Sequence, residues 1–144
     1  DSTNTRLTYI LEGAGTASKL MLTGMVSGEY AIRLNESSVG VKAVAFPGHP
    51  RIMCKHFSVD GNASTAASFL YHVECGLTFD NMSFSGVLNG AKGDSYTDMV
   101  GLRNVNWVNG KTGGWLYDST GHAGDSFYAE RVFSVDLDTI HLVN

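Results

Sequence analysis

Apolar residues recur along this chain at a spacing of about 25 residues. Leu7, Ile32, Phe57, Met82, Val105 and Val132 form one column, with steps of 25, 25, 25, 23 and 27. Two places further on stand Tyr9, Leu34, Val59, Phe84, Trp107 and Ser134, five of them apolar. Between these columns lie Thr8, Arg33, Ser58, Ser83, Asn106 and Phe133, five of them polar. Such in-out-in alternation marks a half-buried strand, because successive side chains leave opposite faces of a pleated backbone. A second alternation precedes it in the same frame: Ile52, Leu77, Val100 and Phe127 align, as do Cys54, Phe79, Leu102 and Ala129. A third candidate strand follows about 12 residues on, at Leu20-Met21-Leu22, Val44-Ala45-Phe46, Phe69-Leu70-Tyr71, Trp115-Leu116-Tyr117 and Ile140-His141-Leu142, with a weakly marked member near Tyr96. No window carries the i, i+3, i+4, i+7 spacing of an amphipathic helix.

Only Asp80-Asn81 separates Leu77-Thr78-Phe79 from Met82-Ser83-Phe84, which fits either a hairpin or a corner. Hairpins give no reason for like residues to stay in column from one repeat to the next. A parallel stack does: each residue lies about 4.8 Å from its counterpart, so apolar columns fuse into one core. The expected fold is therefore all-β, a parallel β-helix (solenoid) of about six coils of 23–27 residues with three short strands per coil. The polar positions agree. Lys55, Asp80, Arg103 and Glu130 alternate in sign down one outward column, as a ladder of ion pairs requires. The corner column reads Arg6, Ala31, His56, Asn81, Asn104, Arg131, and asparagine suits a bend because it tolerates left-handed backbone. Gly61, Gly86, Asn109 and Asp136 share the next exit and are all turn residues.

On these motifs the sequence resembles the right-handed parallel β-helices of the pectate-lyase-like superfamily, over nearly its whole length from about Arg6 to Leu142. "LEGAGTASKLMLTG" resembles the coil that opens many of them, and "LTFDNMSFSG" and "VGLRNVNWVNG" look like their internal coils. Within the superfamily, the Gly-, Ser- and Asn-rich, proline-poor character most resembles bacteriophage tailspikes and neck appendages. That resemblance implies a homotrimer on the virion, outside the cell, that binds and often cuts a host surface polysaccharide or teichoic acid. Two alternatives stay open: a non-catalytic shaft or adhesin of a viral fibre, and a monomeric bacterial polysaccharide lyase or hydrolase.

Composition narrows the partners. With 14 acidic and 10 basic residues, a net charge of −4 and no Lys/Arg cluster, the chain is not expected to bind nucleic acid. No apolar run approaches the ~20 residues that span a bilayer, so membrane insertion is not expected either. Seventeen glycines against two prolines fit many short strands joined by tight turns. Cys54 and Cys75 match no zinc spacing and read as buried thiols. The N-terminus "DSTNTRLTY" has no leader character. Neither end carries a capping helix, and the reading is one β-helix domain over residues 1–144, part of a longer spike or covered at its ends by partners.

Candidate chemistry lies in the long connections. Glycosidases need two carboxyl groups across one bond, and lyases need a base. Glu74, Asp98 and His122 fall 17, 16 and 17 residues after their column members Phe57, Met82 and Val105, a spacing that would bring them onto one face. With Asp118 they are the candidate catalytic set; the other reading is a group of solvated loop residues. Trp115, Tyr117 and Asp125, in "KTGGWLYDSTGHAGDSFY", are the candidate substrate-binding residues, through sugar stacking and hydrogen bonding. Trp115 and Tyr117 equally fit the inward positions of a strand. No metal and no cofactor are expected, since His49, His56 and His141 lack partners at ligand spacing.

Overall fold

The computed structural model describes residues 8–26, 28–34, 51–62, 67–73, 75–94, 99–108, 114–120, 126–135 and 139–143, without the side chains of 73, 94, 115, 119, 120 and 139–143. Its strands are β1 (Thr8–Glu12), β2 (Lys19–Met21), β3 (Tyr30–Leu34), β4 (Arg51–Lys55), β5 (Ser58–Asp60), β6 (Ser68–Val73), β7 (Gly76–Ser85), β8 (Asn89–Asp94), β9 (Met99–Val108), β10 (Trp115–Thr120), β11 (Ser126–Ser134) and β12 (Thr139–Val143). The described residues contain no helix. The architecture is all-β, and every strand pairing among them is parallel. One sheet runs β1-β4-β7-β9-β11, with β2 and β5 continuing it alongside the second half of β7; the other runs β12-β10-β8-β6-β3.

Strand β7 decides the reading of Asp80-Asn81. Its first half pairs with β4 and its second half with β5, both in parallel, so the chain keeps its direction through the two residues. The bend is made by one left-handed residue: φ is 53° at Asn81, and 60°, 52° and 52° at His56, Asn104 and Arg131 in the same column. A left-handed residue costs about 1–2 kcal/mol for most side chains and least for Gly and Asn. Asn81 Nδ2 lies 3.0 Å from His56 Nδ1, a hydrogen bond that ties neighbouring corners together. Beside the corners the charge ladder holds its register, Lys55 beside Asp80, Asp80 beside Arg103, Arg103 beside Glu130, and Glu12 adds a fifth member next to Lys55. Lys55 Nζ is 3.2 Å from Glu12 and Arg103 Nε 3.8 Å from Asp80.

Between the sheets the inward columns make one core. Phe69 from the second sheet meets Phe57, Phe79 and Phe84 from the first at 6.0–6.1 Å between ring centroids, and Phe84 stacks on Trp107 at 5.2 Å. Cys54 and Cys75 are buried and not disulfide-bonded, and burial pushes the Cys54 thiol up to about 12.

The structure corrects the first repeats. Ile32 and Leu34 do not share a column with Phe57 and Val59; they lie in β3, beside Leu70 and His72 in the other sheet, and Leu20 takes the place next to Val59. Ala31 is accordingly a strand residue and not a corner, and Leu20-Met21 belongs with β5 and not with the third strands. Thr8 sits beside Arg51, 43 residues on, so the first step is far longer than 25, and each sheet is five strands deep among the described residues. The member sought near Tyr96 is β8, at Asn89–Asp94. Leu7 and Val44-Ala45-Phe46 lie outside the described residues. The Asn-Gly-Ala-Lys-Gly-Asp run of β8 shows no apolar alternation because its neighbours fill the space. A Cβ on Gly90 would come within 2.5 Å of the Leu116 carbonyl and 3.3 Å of the Trp107 ring.

Candidate functional site

The second sheet has two unlike faces. Leu70, Ala91 and Tyr117 align, face the core and are fully buried. The next column, Arg33, Tyr71, Lys92 and Asp118, therefore leaves the opposite face. Tyr30 joins that outer face through its contact with Tyr71, and Ser68 and Asn89 sit in register with Tyr30. The result is a polar and aromatic strip across β3, β6, β8 and β10, three strand spacings or about 14 Å long.

Its parts are held in place. The rings of Tyr30 and Tyr71 are 5.5 Å apart, and the Arg33 guanidinium lies over both, at 5.9 and 5.6 Å from their centroids. Asn89 Nδ2 donates to Ser68 Oγ at 2.9 Å, both residues being buried. Lys92 Nζ is 3.5 Å from Asp118 Oδ2, and the carboxylate is only 3% exposed. Burial pushes the Tyr30 hydroxyl up to about 12; the Asp118 charge adds to this, while a hydrogen bond with Asn89 and the Arg33 charge oppose it. Tyr30 is thus a neutral hydroxyl at any physiological pH. The strip thus combines two aromatic rings with a cation over them, a buried amide–hydroxyl pair and an ion pair whose carboxylate is buried. No group of three His, Cys, Asp or Glu able to hold a metal occurs among the described residues.

Of the candidate catalytic residues, Asp118 alone has a described side chain, and it belongs to this strip. Glu74, Asp98 and His122, and the binding candidate Asp125, lie outside the described residues. Trp115 begins β10, and its side chain is likewise outside the description. Tyr117 is fully buried, 6.4 Å from Phe127 and 5.8 Å from His72 between ring centroids, which is the inward alternative for this residue. Sequence reasoning missed Tyr30, Arg33, Tyr71, Asn89 and Lys92. Asn89 and Lys92 lie in a strand with no apolar alternation, and the 38-residue offset between Tyr30 and Ser68 hides the first strand from any 25-residue frame.

No family model, curated protein or solved structure matches this chain.

Proposed function

We propose that this chain is a right-handed parallel β-helix segment of a bacteriophage tailspike or appendage, and that it binds a host surface polysaccharide or teichoic acid along the outer face of its second sheet. The observation that carries the binding reading is the strip Tyr30, Arg33, Tyr71 and Lys92, which offers one step of contact on each of β3, β6 and β8, as a polymer requires. The solenoid reading is supported by the chain's alternation between two all-parallel sheets in fixed register. Its right hand follows from the strong preference of parallel crossovers for that hand. The homotrimer and the place on the virion come from the resemblance to tailspikes.

Binding is favoured over cleavage by one feature. Asp118 is buried and ion-paired with Lys92, whereas an acid/base carboxyl has to reach a scissile bond. Depolymerisation by this segment would depend on Glu74, Asp98 and His122. The test is a panel of capsular polysaccharides, O-antigens and teichoic acids, followed for retention and for new reducing ends, unsaturated uronates and released phosphate. Retention of one polymer, weakened about tenfold or more by Tyr71→Ala and by Arg33→Ala, is the expected result, a loss of roughly 1.4 kcal/mol or more. Product formation abolished by Asp98→Asn would restore the enzymatic reading. Retention unchanged in both strip variants would remove the strip from the function.

A further inference from the structure

Charge is arranged differently on the two sheets. On the corner ladder of the first sheet both signs reach solvent: the side chains of Glu12 and Arg103 are 51% and 50% exposed. In the strip of the second sheet the signs separate by depth. Arg33, Tyr71, Lys92 and Asp118 stand in one row across β3, β6, β8 and β10. Arg33 is exposed and the Lys92 side chain is 29% exposed, whereas the Asp118 side chain is 3% exposed and lies against the Lys92 ammonium. Asp118 is the one acid among the described side chains of the strip. Two cations against one carboxylate leave the row positive, on a chain whose net charge is −4. An anion arriving from solvent meets both cations directly and cannot reach contact with the buried carboxylate.

The two cations are also set in place. They lie two strands apart, about 9–10 Å at the backbone, with Tyr71 between them. Tyr30 and Tyr71 hold the Arg33 guanidinium over their rings, a contact that leaves its charge intact. A guanidinium presents a planar fork that matches a carboxylate or a phosphate, and an ammonium acts on either as a compact point charge. Neutral sugars gain hydrogen bonds from these groups, but an acidic polymer gains the charge attraction as well, at two points along its length.

We infer that the strip selects an acidic polymer, one whose repeat carries a carboxylate or a phosphate, and that Arg33 and Lys92 each take one such group. The inference rests on the binding role proposed for the strip. The probes are acidic capsular polysaccharides, the same polymers with their carboxylates reduced to alcohols, a poly(glycerol phosphate) teichoic acid, and neutral O-antigens. Retention on the immobilised chain is measured between about 0.1 M and about 1 M salt, across which the Debye length falls from about 10 Å to about 3 Å. At least one anionic polymer is expected to be held, about tenfold or more weakly at the high-salt end. If that polymer is a uronate, reduction is expected to weaken it by about as much; a held teichoic acid identifies phosphate instead. Arg33→Gln and Lys92→Gln/Asp118→Asn each remove one cation, the second without leaving a lone buried carboxylate. Each is expected to flatten the salt dependence, whereas damage to the fold alone would lower retention equally at every salt concentration. Neutral or reduced polymers held as tightly as their acidic counterparts overturn the inference and leave the strip a site for neutral glycans. So does retention that neither salt nor the two variants change. Retention of no polymer removes glycan binding itself, and this inference with it.

Discussion

Asn81 shows how a residue choice sets a local conformation. Its φ of 53° falls where β-branched side chains are strained. Asn81→Gly is expected to change stability by less than about 1 kcal/mol, and Asn81→Val to cost about 1–2 kcal/mol or more, read from urea denaturation midpoints. His72 makes a second case. Buried against Tyr117, its imidazole is lowered to about 4 by desolvation of the charged form. The unfolded chain then binds a proton between pH 6.5 and about 4 that the folded chain refuses. The stability this histidine contributes is therefore complete above pH 6.5 and drains away as the pH falls towards 4. Denaturation between pH 4 and 7 is expected to show a smaller slope in His72→Leu than in wild type, the difference reaching the order of 3 kcal/mol at the acid end.

At the scale of elements, legibility followed the side-chain pattern. Strands β7 and β9 alternate cleanly and carry both the corner and the ladder, so their register is written in the residues themselves. β8 could not be read, because Gly90 and Ala91 are small where Leu116, Trp107 and Tyr117 are large, and that complementarity exists only across strands. Gly90→Ala is accordingly expected to destabilise the fold by about 1–3 kcal/mol, an overpacking penalty measurable by chemical denaturation. On the outer face of the same strand, Lys92→Met removes the ammonium beside the buried Asp118 carboxylate. A loss of about 1–3 kcal/mol is expected, with part of it recovered in Lys92→Met/Asp118→Asn, and a double-mutant cycle measures the coupling.

For the whole molecule, the stacking of two parallel sheets puts both thiols inside. Cys54, raised to about 12 by burial, is expected to react with an aromatic disulfide reagent at pH 8 only as fast as the protein unfolds, and completely in denaturant. Alternation, like-on-like columns and sign reversal at the corner are local or recur at one period, and from them the sequence alone determined strands, parallel pairing, the core columns from Ile52 onward and the corner at Asp80-Asn81. The 43-residue first step, the transfer of Ile32 and Leu34 to the second sheet, and the outer strip of Tyr30, Arg33, Tyr71, Lys92 and Asp118 were decided only by the tertiary structure. The reason is that a long connection shifts the phase of every residue before it. Once the phase is lost, which residues share a face depends on the packing of distant strands and no longer on any spacing along the chain.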